Sequence, residues 1–308
     1  PGWMRMSASS RIMKVSWAIE RKPESTAPAH ERASCSRYAS DAMSPSSAPH
    51  PSPVLWPMQW ALPAGVHAVC TTRSGGFSKA PYASFNLGDH VSDAPPTVVA
   101  NRALLQAQLR GARPVFLSQV HGVAVVTLDA HTPDGTTADA CITPVSQVAC
   151  TIMVADCLPL LFTDDAGTVV AAAHAGWRGL AEGVVEQTVQ AVCTQAQVSP
   201  AQVRVWLGPC IGPQAFEVGP EVRAAFIAAK SPEAQRAADC FLPHPAHANK
   251  WLADLAGLAR LRLQALGVTS VAGNDSSSTW CTVTDRSRLF SYRRDGVTGR
   301  FAVCIWRD

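Results

Sequence analysis

The chain has 308 residues, 47% of them apolar, enough for one large domain or two ordinary ones with a substantial core. A formal charge of only +3, with no basic stripe interleaved with aromatics, argues against a nucleic-acid surface, and no window reaches the ~18 uninterrupted apolar residues of a membrane span. The ten cysteines are scattered without a CxxC pair, mostly inside apolar runs where a free thiol acts as a small hydrophobe, so a reducing cytoplasm is the expected location.

Residues 1–52 are rich in Ser, Pro, Ala and Arg and too poor in apolar residues to bury a face, which reads as a disordered N-terminal extension. Its basic start lacks the apolar core and small-residue cleavage site of a secretory signal. From residue 53 to residue 308 there is no linker and no repeat, and one α/β domain is the expectation.

In chain order, residues 66–72 form an expected strand that runs into Thr72-Arg73-Ser74-Gly75-Gly76-Phe77. That segment reads either as an ordinary turn or as a loop presenting Arg73 and backbone N–H groups to an anion. A helix is expected over residues 96–109, with Val98, Leu105 and Leu109 on one face and Gly111 as its stop. Residues 115–117 and 123–128 read as strands around Ser118-Gln119-Val120-His121-Gly122.

The apolar runs Val148–Val154 and 169–173, with a short strand over 158–163 between them, fit strands buried on both faces. Their β-branched content and the turn Asp164-Asp165-Ala166-Gly167 favour strands over a core helix. Asp156, Cys157 and His174 then lie at the ends of interior strands, where α/β proteins place their chemistry. One helix is expected over residues 180–193, entered through Trp177-Arg178-Gly179, with its N-terminus facing the same strand ends. Val203–Leu207 reads as a strand, followed by the turn Gly208-Pro209-Cys210-Ile211-Gly212-Pro213. Helices over 220–229 and 252–266 flank a polar loop, and residues 268–272, 276–283 and the strand 300–306 close the domain.

His121, Cys157 and His174 are too far apart in sequence for a zinc finger, yet each sits at a strand–loop boundary. Three readings of them stand on residues alone. They form a catalytic metal site with an open fourth position, suited to Zn²⁺ with Cu²⁺ as the alternative. They form a nucleophile and base, Cys157 with either histidine. Or Cys157 is an inert buried thiol. Asp156 reads as an orienting group for water or a ligand histidine, or as a turn carboxylate. Arg73, the Trp177–Gly179 helix start with Arg178, and the pair Arg293 and Arg294 are the candidates for holding an anion, the pair reading equally as a surface ion pair with Asp295 or Asp285.

The segments Gln119-Val120-His121-Gly122, Ala138-Asp139-Ala140, Ala155-Asp156-Cys157-Leu158-Pro159, His174-Ala175-Gly176-Trp177-Arg178-Gly179, Gly208-Pro209-Cys210-Ile211-Gly212 and Phe290-Ser291-Tyr292-Arg293-Arg294 through Thr298-Gly299-Arg300 together resemble the YfiH-type laccase-domain family. The resemblance spans residues 54–308 and implies a layered α/β sandwich with a mixed β-sheet. It implies a mononuclear zinc site on His121, Cys157 and His174, with Asp156 and Cys157 catalytic and Arg73, Arg178 and Arg293 binding substrate or phosphate. The implied activity is phosphorolysis of adenosine, inosine and methylthioadenosine, with adenosine deamination besides. Alternative family activities are a zinc- or cysteine-dependent amidase editing peptidoglycan precursors and a copper polyphenol oxidase. A multicopper cluster needs more histidines near one another than the nine in this chain can supply. The implied partners are purine nucleosides and phosphate, without nucleic acid or membrane, in a monomer or dimer. Phe216 stands where the family often carries tyrosine.

Overall fold

The apolar runs form strands of two facing sheets in a computed structural model that describes residues 51–228 and 232–308. The chain divides into two units after Ala48, and every described residue lies in the second. The extension expected over residues 1–52 lies outside the described residues except for its last two.

In chain order the first elements are β1 (Val66–Cys70), α1 (Pro95–Gln108), β2 (Arg113–Phe116), β3 (Val125–Thr127) and β4 (Ala140–Thr143). The centre of the chain is β5 (Val148–Val154), β6 (Leu158–Asp164), β7 (Val170–Ala175), α2 (Trp177–Glu182), α3 (Val184–Ala196) and β8 (Val203–Leu207). Then come β9 (Glu217–Val218), α4 (Pro220–Ile227), α5 (Pro232–Ala238), β10 (Phe241–Pro243) and β11 (Trp251–Ala253). The chain closes with α6 (Leu255–Ala265), β12 (Ser270–Gly273), α7 (Tyr292–Asp295) and β13 (Phe301–Arg307).

A four-stranded mixed sheet has the order β1-β13-β5-β2, and a six-stranded mixed sheet the order β12-β8-β6-β7-β4-β3. Side chains alternate across a strand, so each strand of a sheet covered on both sides must be apolar throughout. In β5, Val148, Cys150, Ile152 and Val154 enter the core between the sheets, together with Leu161, Val170, Ala172, Phe301, Val303 and Ile305. Ala149 and Met153 face the other way, onto Leu105 and Leu109 of α1 and its neighbours. Leu158, Leu160 and Phe162 of β6 and Ala171, Ala173 and Ala175 of β7 pack against Val185, Val189 and Val192 of α3 and Leu258 and Leu263 of α6. The result is the expected α/β sandwich with mixed sheets, in four layers: helix, sheet, sheet, helices.

Three local expectations differ from what is found. The helix expected over 180–193 is two helices, because Gly183 sits at φ +105° and is at once the C-cap of α2 and the N-cap of α3. That conformation is open to glycine and disfavoured for a residue with a Cβ. The helix entering from the site is therefore only α2, six residues long. Around the expected polar loop after α4, a small antiparallel sheet β10-β11-β9 forms together with α5, built on strands too short to show a period. β4 was not expected either, although all four of its residues are buried.

Gly183→Ala should cost about 1–2 kcal/mol, the penalty of a left-handed L-residue, without changing the fold. Urea unfolding of the two proteins checks this.

Candidate metal centre and its cavity

The connection from β5 to β6 is the three residues Ala155, Asp156 and Cys157, turned sharply by Asp156 at φ +102°. β6 runs antiparallel to β7 with Pro159 opposite His174, which brings Cys157 and His174 to one end of the six-stranded sheet. His121 arrives from the loop between β2 and β3, itself at φ +63°. One donor atom from each of the three residues lies within 4.8 Å of the other two. Cys157 Sγ is 3.7 Å from His121 Nε2, and the imidazole rings meet edge to face at 4.8 Å. A Cβ on Gly176 would stand 2.6 Å from His121 Cδ2 and 3.1 Å from Cys157 Sγ, so the first glycine of His-Ala-Gly-Trp-Arg-Gly is what lets the groups converge.

Asp139, just before β4, holds this arrangement from behind. Its carboxylate is fully buried. Oδ1 accepts the His174 Nδ1 proton at 2.9 Å and the His121 N–H at 2.8 Å, and Oδ2 accepts the N–H of Gly122 at 2.7 Å and of Val120 at 3.2 Å. Binding at Nδ1 fixes the His174 tautomer and leaves Nε2 to the site. The backbone bonds hold the left-handed turn at His121. Burial pushes the Asp139 carboxyl up, but the His174 and backbone donors outweigh it and keep the group below the ordinary carboxylate value.

Burial also pushes the Cys157 thiol up, yet the charge on His174 and hydrogen bonds from both histidines bring it down to about 6. Burial pulls His174 down, while the Cys157 thiolate and the Asp139 bond raise it to about 9. The chain by itself therefore carries a thiolate beside an imidazolium. Two imidazole nitrogens and a thiolate, with a buried carboxylate behind one imidazole, suit a borderline-soft divalent cation and leave a fourth position open.

These groups line a cavity of about 680 Å³. Arg178 and Arg293 reach it as expected, Arg178 with its guanidinium 4.4 Å from the Trp177 ring. Phe216 forms part of the wall, 5.6 Å from the Arg293 guanidinium. Arg73 is not among the lining residues. Its Nε donates to Ala83 O at 3.1 Å and its Nη1 to Arg286 O at 3.2 Å, and it lies over Phe290, so it braces loops instead. Asp156 lines the cavity, but its Oδ1 accepts from Thr282 Oγ1 at 2.5 Å and its Oδ2 from Arg293 N at 2.6 Å. It ties the Arg293 segment to the metal loop, and Asp139 is the carboxylate that orients a histidine. Sequence reasoning passed over Asp139 and Arg300, although both stand in motif segments.

Glu217, His244 and His247 also bring donor atoms within 4.8 Å of one another. His244 Nδ1 already accepts the N–H of Ala246 and of His247, at 3.1 and 3.0 Å, so its neutral form carries the proton on Nε2. That proton faces Glu217 Oε2 at 3.4 Å, and His247 Nδ1 lies 2.7 Å from the same oxygen. The cluster is a carboxylate shared by two stacked imidazoles, and its tautomer works against metal ligation.

The family model for the multi-copper polyphenol oxidoreductase laccase matches residues 67–308. The chain belongs to this family. A Pseudomonas aeruginosa protein named purine nucleoside phosphorylase is 51% identical over 247 residues, covering 80% of this chain and 96% of its own. The Escherichia coli purine nucleoside phosphorylase YfiH is 46% identical over 249 residues, with the same coverage. Among solved structures, a Neisseria meningitidis protein superposes with a TM-score of 0.75 at 44% identity, covering 83% of this chain and 99% of that one. YlmD from Geobacillus stearothermophilus does so at 0.70 and 32%, covering 79% and 92%. Among the described residues, no helix is long and apolar enough to cross a membrane.

Asp139→Asn should weaken divalent-metal binding by about 10–100-fold, read by competition against a chelator of known affinity. The pH dependence of that affinity has a definite sign. Between about 6 and 9, metal must displace the proton of His174 while Cys157 is already ionised, so affinity rises about tenfold per pH unit. Below about 6 the thiol proton must leave as well and the slope steepens; calorimetry in buffers of different ionisation enthalpy counts the protons.

Proposed function

We propose that the chain is a zinc-dependent purine nucleoside phosphorylase, cleaving adenosine, inosine and methylthioadenosine to base and the pentose 1-phosphate, and deaminating adenosine as a second activity. The observation that carries this reading is one cavity holding the His121–Cys157–His174 donor set together with arginines and an apolar wall. The relatives' names support the purine nucleoside phosphorylase part of this reading. The zinc ligands are His121, Cys157 and His174.

Zinc held by these donors supplies Lewis acidity at neutral pH, which serves the departure of a ring nitrogen and the activation of water alike. The chain's own groups do the rest. Asp139 keeps the His174 proton on Nδ1 and so keeps Nε2 facing the site. Ile211, Phe216 and Leu255 give the base an apolar wall that excludes water. Arg178, stacked on Trp177, and Arg293, whose Nη1 is anchored on Glu217 O at 3.0 Å, meet the anionic co-substrate. Asp156 sets the backbone from which Arg293 projects.

The thiolate–imidazolium pair favours one second reading, a cysteine hydrolase acting on amide bonds with Cys157 as nucleophile. A single assay separates the two. With adenosine, ribose 1-phosphate equimolar with the sum of adenine and hypoxanthine should form only when phosphate is supplied, zinc should be present by elemental analysis, and Cys157→Ala should lose zinc and at least about 100-fold in rate. Base release indifferent to phosphate, or full activity in a metal-free protein, would overturn the proposal.

A further inference from the structure

Several arginines of this fold have a carboxylate at close range: Arg204 has Asp165 at 2.6 Å, Arg262 has Glu186 at 2.5 Å and Arg294 has Asp295 at 2.7 Å. Arg300 does not. It lies in the cavity wall and, among the described residues, has no carboxylate oxygen within 4.0 Å. Its Nη1 donates to the carbonyls of Thr298 and Gly299, at 3.2 and 3.1 Å, and its main-chain N–H donates to Asn86 Oδ1 at 2.9 Å. Among the described residues, Nε and Nη2 have no hydrogen-bond partner. The Cys157 thiolate and the Asp156 carboxylate act on this partly buried guanidinium from beyond contact distance, and only carbonyls touch it, so it has room for an anion in direct contact.

The position of Arg300 follows from strand register. Phe301 of β13 pairs with Val154 of β5, so Arg300 stands opposite the start of the Ala155-Asp156-Cys157 turn. Its stem passes over Gly88, where a Cβ would come within 2.8 Å of Arg300 Cγ and 3.4 Å of His90 Cε1. Gly88 thus gives the side chain its path, and the His90 imidazole borders the same space. The guanidinium is tethered through Nη1 to two consecutive carbonyls.

We infer that Arg300, beside the Cys157 turn and bordered by His90, anchors inorganic phosphate as the nucleophile of the proposed phosphorolysis, with Arg178 and Arg293 as further contacts. This rests on the phosphorylase reading. In the reaction the phosphate oxygen forms a bond to ribose C1′ while the C1′–N9 bond breaks, and the proton of hydrogen phosphate goes to the departing base nitrogen. Hydrogen phosphate and neutral nucleoside become ribose 1-phosphate and neutral base, so charge and atoms balance. A fork of N–H donors in one plane matches two phosphate oxygens, which a lysine does not.

The test uses the purified full chain and inorganic phosphate as the probe, by calorimetric titration and by steady-state kinetics. Arg300→Met should weaken phosphate binding and raise KM for phosphate by about 10–100-fold, with KM for adenosine within about twofold of the parent. Arg300→Lys should fall between the two, and Gly88→Ala, which pushes the stem aside and keeps the charge, should move in the direction of Arg300→Met. Phosphate binding unchanged in Arg300→Met, or equal losses for phosphate and adenosine, would overturn the assignment. Should Arg300→Met fail to fold, Arg300→Lys and Gly88→Ala carry the same reading. If phosphate binds through Arg300 but no ribose 1-phosphate forms, the anion site stands and the phosphorylase reading fails.

Discussion

The site depends on one buried carboxylate. Asp139 takes four N–H donors, three from consecutive backbone amides of the His121 loop and one from the His174 ring. A charge this far from water persists only when donors replace its hydration, and those donors are the pieces of chain that must be held still. Stabilising the carboxylate and shaping the centre are therefore one interaction. The left-handed turn at His121 would be unfavourable in isolation and is maintained because its amides are bound.

Behind Asp139 stands the double sheet. With cores on both faces, β5, β6 and β7 have no freedom to shift register, since a slip of one residue would swap the side chains facing the second sheet with those facing the helices. The alanines of β7 belong to this: small side chains on the helix side bring α3 close, and His174 continues the same strand to its end at the cavity. The donor set is then held by strand ends and by loops whose amides are themselves hydrogen-bonded to Asp139.

Charge is divided sharply around the cavity. Asp156 is consumed by Thr282 and the Arg293 backbone, while the guanidinium of Arg300, among the described residues, touches no carboxylate and feels Asp156 and Cys157 only from farther off. Engaged carboxylates beside Arg178 and Arg300 suit the anionic reactant proposed for this site. The Glu217–His244–His247 cluster faces the other way electrically: a carboxylate covered by two imidazoles, which secures the small β10-β11-β9 sheet and through Glu217 O meets Arg293.

Much of this was legible without coordinates. Val148–Val154 and Val203–Leu207 stand where the apolar pattern put them, because strands buried on both faces leave an unbroken run that little else produces. The metal-type residues His121, Cys157 and His174 were likewise marked by their placement at strand ends. Gly183 could be read as an ordinary helix residue, since a helical period says nothing about one backbone torsion. Arg73 and Arg300 are indistinguishable by composition; only register sends one guanidinium into the cavity and the other onto Ala83 and Arg286. The exchange between Asp139 and Asp156 has the same cause. Amino-acid sequence by itself determined which chemistry the chain owns and which segments are interior, because hydrophobic burial is a local, periodic demand. Tertiary structure alone decided which carboxylate serves which histidine and which arginine is free, because those partners lie on strands and loops that meet only after the sheets have closed.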